Sequence, residues 1–167
     1  MTIIATRIDG RLIHGQVANL WTTKLNISRI MVIDNEIVTN DLEKTALKLA
    51  TPSGVKLSIL TVEKAASNIL AGRYDSQRLL IVAKKPDRFL ELINRGVALR
   101  NLNVGNMSQS AETISVTRSI NVLKQDIDDF DAIAKTGTML TAQMVPSDTA
   151  IDFMPLLNKV RQESHHN

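Results

Sequence analysis

The run Arg7-Ile8-Asp9-Gly10-Arg11-Leu12-Ile13-His14-Gly15-Gln16-Val17 holds most of what this chain could use for chemistry. Of its three histidines, His165 and His166 stand in a polar C-terminal tail expected to be mobile, so a catalytic imidazole in the body of the protein must be His14. A neutral imidazole nitrogen can attack phosphorus in line, and the phosphoramidate it forms must then be held without rapid hydrolysis. If a helix opens after His14, the backbone amides of Gly15, Gln16 and Val17 are free to cradle phosphoryl oxygens. Arg11 adds a fork of donors that stays charged at every working pH. Such an anion site requires neither a metal nor a cofactor.

The neighbours of His14 admit two readings each. A histidine at a helix start can be a cap or a solvated surface group as well as a nucleophile. Asp9 could accept a hydrogen bond from the ring nitrogen of His14 that does not react, fixing the tautomer. It could equally bond backbone amides of its own turn. Arg7 ends a strand, where an arginine pairs with a carboxylate or reaches a bound phosphate. Lys84 and Lys85 could add positive potential or be solvated loop residues. Asn106, Met107 and Ser108 could line the pocket or form an ordinary turn. Leu12, Ile13 and Met107 are candidates for the apolar part of a docking face, or for the core. Trp21 reads as core packing.

These residues must be positioned by the elements around them. Short β-branched runs alternate with amphipathic helical stretches, the pattern of βαβ units around a mainly parallel sheet. Strands are expected at Ile3 to Ile8, Arg29 to Asp34, Lys56 to Leu60, Arg78 to Ala83, Leu99 to Val104 and Met139 to Val145. A short extended piece is expected near Ser115 to Ile120. Helices are expected at Gly15 to Leu25, Asp41 to Ala50, from Thr61 to before Gly72, from Pro86 to Gly96, Asp126 to Lys135, and Phe153 to Gln162. Asn40 and Glu43 have capping-box spacing, and Thr61 is a candidate N-cap. His14 then falls in the turn after the first strand, at the carboxyl edge of the sheet where ligands of open α/β sheets collect.

The composition narrows the function classes. A length of 167 residues suits one domain with a full core, and 44% apolar against 22% charged residues argues against disorder. Having no Cys excludes disulfides, thiolate metal sites and a cysteine nucleophile, and points to a reducing compartment. Arg7 and Asp9 interrupt any signal-peptide core, and no apolar run approaches the ~20 residues of a membrane span, so a cytoplasmic protein is expected. The net charge of +3 is dispersed and aromatics are only 3%, which argues against nucleic-acid binding. A mildly positive surface also suits an acidic protein partner.

The motif at residues 7–17 closely resembles the signature of the IIB proteins of the mannose, fructose and sorbose family of sugar phosphotransferase systems. Ala83-Lys84-Lys85-Pro86, the run NVGNM at 103–107 and AQMVPSD at 142–148 extend the resemblance over nearly the whole chain. It implies a three-layer α/β/α sandwich with a mainly parallel sheet, as one IIB domain over residues 1–167. It implies a phosphotransferase in which His14 accepts a phosphoryl group, through Nδ1, from the phosphohistidine of a IIA protein. The group then passes to a sugar at the membrane subunits IIC and IID, with the protein associated peripherally with that permease. Arg11 is the residue expected to bind the phosphoryl group, and Lys84 and Asn106 are second-tier candidates. Many members carry a second acid where Gly10 stands, so no charge role transfers there. Two rivals remain. A phosphohistidine-forming phosphatase would place Arg directly before His, whereas Leu12 and Ile13 intervene here. A noncatalytic binding module has little support without a Walker A or GxGxxG pattern.

Overall fold

A computed structural model describes residues 3–164, so His165 and His166 lie outside the described residues. In chain order the elements are β1 (Ile3–Asp9), α1 (Gly15–Leu25), β2 (Arg29–Ile33), α2 (Asp41–Ala50), β3 (Lys56–Leu60), α3 (Val62–Leu70), β4 (Leu79–Ala83), α4 (Pro86–Asn94), β5 (Asn101–Asn106), β6 (Ile114–Ser115), β7 (Asn121–Val122), α5 (Lys124–Lys135), β8 (Met139–Ala142), β9 (Ile151–Asp152) and α6 (Phe153–Ser164). Seven strands form one sheet in the order β3-β2-β4-β1-β5-β8-β9, parallel except for the β8–β9 pair. This is the α/β sandwich expected from the alternation of elements.

The order of strands places the site. The chain leaves β1 over α1 towards β2 and leaves β4 over α4 towards β5, so the two connections depart in opposite directions from adjacent strands. Because such crossovers are right-handed, the helices fall on opposite faces and the strand order reverses between β1 and β4, the switch point at whose carboxyl ends open α/β sheets bind ligands. His14 follows β1 and Lys84 follows β4.

Two cores flank the sheet. On one side Phe89, Leu92, Phe130, Phe153 and Leu157 pack against Ile8, Ile81, Leu102 and Val104. The rings of Phe130 and Phe153 meet tilted, 4.6 Å apart, an arrangement worth about 1 kcal/mol beyond the area it buries. On the other side α1 and α2 cover Ile30, Val32, Leu80 and Val82. The caps explain where helices begin. Asn40 Oδ1 accepts from the Glu43 amide at 3.1 Å and Thr61 Oγ1 from the Lys64 amide at 3.1 Å. Pro86 opens α4.

Several boundaries differ from the sequence reading. The last strand expected to reach Val145 stops at Ala142, because the carbonyls of Gln143 and Met144 turn to accept from Arg7. The piece near Ser115 to Ile120 is the turn of a small antiparallel hairpin, β6–β7, and β9 was not foreseen. Helix α5 begins two residues early, at Lys124, with Asp126 Oδ2 accepting from the Leu123 amide at 2.8 Å. Among the described residues no helix is long and apolar enough to cross a membrane.

The buried carboxyl of Asp129 on α5 generates a pH dependence. Burial pushes it above the ordinary carboxylate range, the bond from Gln125 Nε2 at 3.1 Å opposes this, and Asp87, Asp126 and Asp128 push it up again. A carboxyl with a raised folded-state pKa binds protons more tightly when native, so its contribution is fully present below the unfolded value and declines as pH rises through the folded value. Asp129→Asn should therefore melt at a higher temperature than the wild type near pH 7, with the advantage shrinking towards about pH 4. A difference in Tm that does not change with pH would remove Asp129 as its cause.

Candidate functional site

The chain from Asp9 to His14 turns sharply, and the turn is held from within. The Leu12 amide donates to the Asp9 carbonyl at 2.9 Å, and Leu12 adopts φ 62, a left-handed conformation unusual for a leucine. That turn sends the side chains of Leu12 and Ile13 inward, to 7% and 5% exposure, among the core residues under α1 and α2. Met107 is likewise buried at 3%. These three residues are therefore core, and none can supply the apolar part of a docking face.

His14 is the N-cap residue of α1, with extended backbone (φ −146, ψ 131), and its side chain makes no capping hydrogen bond. Gly15 follows with φ +43. The first bond closing the helix runs from the Ala18 amide to the His14 carbonyl at 3.4 Å. The amides of Gly15, Gln16 and Val17 lie ahead of it, among the donors that a helix start leaves without intrahelical partners. No acidic side chain occupies the first turn of α1. The positive end of the helix, equivalent to about half a charge, is thus left for an external anion.

The ring of His14 is about three-quarters buried, with Nδ1 3.8 Å from Asp9 Oδ1. That is too long for a hydrogen bond, and Nδ1 is buried without a partner among the described residues. Asp9, only 1% exposed, spends its oxygens elsewhere: Oδ1 accepts from the Arg11 amide at 3.0 Å and Oδ2 from Arg7 Nη2 at 3.3 Å. Both alternatives read for Asp9 are thus visible, but only the bond within its own turn is made.

Arg7 sits behind Asp9 and does not face solvent, being 4% exposed. Its Nη1 donates to Asn103 Oδ1 at 2.5 Å and to the Gln143 carbonyl at 2.9 Å, and its Nη2 to the Met144 carbonyl at 2.8 Å. The guanidinium lies over the Trp21 ring, 5.1 Å from its centroid, while Trp21 Nε1 donates to the same Met144 carbonyl at 3.0 Å. Burial lowers the pKa of Arg7 and the adjacent Asp9 carboxylate raises it back in part. Gly105 makes the arrangement possible, since a Cβ there would lie 2.2 Å from Arg7 Cζ. The sequence reading counts the runs 103–107 and 142–148 in the family resemblance but assigns no role to Asn103, Gly105, Gln143 or Met144. The alternation Asn101-Leu102-Asn103-Val104 was the available signal, marking a polar face on β5.

The other candidates are spread along the same edge. Arg11 is exposed, and its guanidinium has no partner among the described residues. Gly15 and Gln16 are exposed and Val17 is half-buried. Asn106 ends β5, and its carbonyl accepts from the Gly10 amide at 2.9 Å, drawing β5 against the His14 loop. A Cβ at Gly10 would lie 2.8 Å from Ser108 Oγ, so an acid at this position would require the Ser108 side chain to shift. Lys84 Nζ lies 4.0 Å from Glu43 Oε2 and Lys85 Nζ 3.6 Å from Asp126 Oδ2, which directs both lysines towards neighbouring helices. Among the described residues no group of His, Asp and Glu could hold a metal ion.

Known proteins share this architecture along almost the full chain. Residues 3–167 match the family model described as the PTS system sorbose subfamily IIB component. The fructose-specific EIIB component of Bacillus subtilis (strain 168) is 32% identical over 160 residues, covering 96% of this chain and 98% of the relative. The mannose-specific EIIAB component of Escherichia coli (strain K12) is also 32% identical, but the match spans only 50% of that longer protein. Among solved structures, the IIBSor domain of the sorbose permease from Klebsiella pneumoniae superposes with a TM-score of 0.91 at 29% identity, over 95% of this chain and 98% of the other. The chain belongs to the sorbose-type IIB family of the sugar phosphotransferase system and is a phosphotransferase component of sugar uptake.

Proposed function

We propose that the chain acts as a single IIB domain that carries a phosphoryl group on His14, taking it from a phosphorylated IIA protein and passing it to a sugar at the IIC and IID permease subunits. The observation that carries this reading is an imidazole on the N-cap residue of a helix whose first amides are free and whose first turn contains no acid. An attacking ring nitrogen forms the new P–N bond as the bond to the donor imidazole breaks, and the other nitrogen of His14 keeps the proton. Negative charge on the phosphoryl oxygens then meets the amides of Gly15, Gln16 and Val17. Arg11, whose guanidinium is uncommitted, closes over it.

Family likeness implies Nδ1 as the reacting atom, yet Nδ1 is the buried nitrogen here. The ring must turn about its side-chain bonds to expose it. No hydrogen bond opposes that rotation, since Asp9 Oδ1 stands 3.8 Å away. Asp9 and Arg7 act as positioning residues: Asp9 holds the Arg11 amide and thereby the turn, and Arg7 holds Asp9. Asn106 supports the loop through its carbonyl, and Lys84 contributes only long-range potential.

The IIA donor is supported by the E. coli relative, whose name joins A and B components in one protein. Relatives named for fructose, sorbose and mannose leave the sugar to be set by the permease. The protein is proposed to work in the cytoplasm, docked peripherally on that permease.

Incubation with a phosphorylated IIA donor should place one acid-labile, alkali-stable phosphate on His14, and His14→Ala should abolish it. Label that survives in the Ala variant, or an acid-stable phosphoester, would sink the assignment. Arg11→Ala should fold normally, because the side chain is exposed, and should slow transfer about 10- to 100-fold through the loss of one charge-assisted contact of roughly 1.5–3 kcal/mol. Rapid-quench measurement of transfer rates decides this, and an unchanged rate takes Arg11 out of the site.

A further inference from the structure

Helix α2 turns Leu47 to the sheet and presents its opposite face to solvent, where Leu42 is 82% and Leu49 83% exposed. At 3.6 residues per turn these two lie about 20° apart around the helix and roughly 10 Å apart along it. Thr45 and Ala46, both exposed, fall between them. The result is a continuous small-centred apolar stripe. One flank of the stripe carries Asp41 in the first turn and Lys48 in the last. Both are exposed, and among the described residues neither side chain has an ion-pair partner.

We propose that this face of α2 packs against the same face of a second copy of the chain, as an antiparallel helix pair about a two-fold axis through Thr45 and Ala46. A two-fold axis perpendicular to the helices brings like flanks together with their ends exchanged. Leu42 then meets Leu49 of the second copy, Asp41 meets its Lys48, and each contact occurs twice. The small residues at the axis allow the close approach of helix pairs, and opposed helix dipoles favour the antiparallel sense. A lipid surface or an unrelated apolar partner would have no use for an acid and a base at opposite ends of one flank. A single helix pair buries less than a standard interface of about 1,600 Å². The dimer is therefore weak and dependent on concentration.

Sedimentation velocity on the full chain at low salt tests this. The average mass should rise from 18.4 kDa towards twice that value as concentration increases, and Leu49→Asp should remain monomeric while keeping the wild-type circular dichroism. Asp41→Lys alone, or Lys48→Asp alone, sets like charges at both contacts and should weaken association by about threefold to tenfold. Mixed in equal amounts, the two single variants should form a heterodimer tighter than either homodimer, because both contacts again join opposite charges. That recovery cannot come from helix stability, since neither chain has changed on mixing. A wild type that stays monomeric throughout, association that survives Leu49→Asp, or a mixture no tighter than its components would overturn the proposal.

Discussion

The buried ion pair between Arg7 and Asp9 is the interaction on which the site depends. Removing two charges from water costs several kcal/mol each, and their attraction repays this only when the remaining donors and acceptors are satisfied. Here they are. Arg7 binds one side chain on β5 and two carbonyls beyond β8, with the face of Trp21 on α1 beneath it. Asp9 gives its second oxygen to the Arg11 amide. One guanidinium thereby ties three separate parts of the chain to the residue that starts the His14 turn. Losing either partner would strand a buried charge, at a cost of about 3–5 kcal/mol, and would release the turn as well. Gly105 belongs to the same constraint, since any side chain there would occupy the space of the guanidinium.

A second constraint is the strain in the turn. Leu12 at φ 62 carries a left-handed conformation that costs an L-residue roughly 1–2 kcal/mol. The burial of Leu12 and Ile13 offsets it, at about 1.5–3 kcal/mol for each side chain taken out of water. The two residues before His14 in the motif are thus apolar for a reason unconnected with partners. They anchor a strained loop so that His14 emerges at the helix end, beyond the carboxyl end of β1.

How far this could be read from residues depended on the range of the interactions. The alternation of β-branched runs and amphipathic helices, the caps at Asn40 and Thr61, and Pro86 at the start of α4 are local signals, and the helices they mark stand where expected. The partners of Arg7 lie 96, 136 and 137 residues away, and two of them are backbone carbonyls that no side-chain pattern reveals. Arg7 therefore stayed ambiguous between a phosphate contact and a structural pair. Leu12 and Ile13 stand in a loop, where exposure is the usual expectation, and only the backbone reversal at Leu12 shows otherwise. The strand pattern from Met139 continues past Ala142, but Arg7 and Trp21 draw the following carbonyls out of the ladder. The two-residue strands of the hairpin are too short to carry any periodicity.

The division of charge around His14 bears on what a carrier must do. A phosphoryl group that is held too tightly will not be passed on, because binding that stabilises the loaded state and the transition state equally gives no rate to the second transfer. Two arginines lie in the motif, but only Arg11 is exposed. Asp9 neutralises Arg7 beneath the loop, and the short bonds to Asn103, Gln143 and Met144 keep it there. The field at the imidazole then comes from the partial charge of one helix end and from Arg11, which is exposed and screened by water. Under the proposed assignment, a site with this field favours a phosphorylated His14 without trapping it. In the proposed carrier, Arg11, exposed and without a partner among the described residues, can yield its place when a second protein or a sugar hydroxyl approaches.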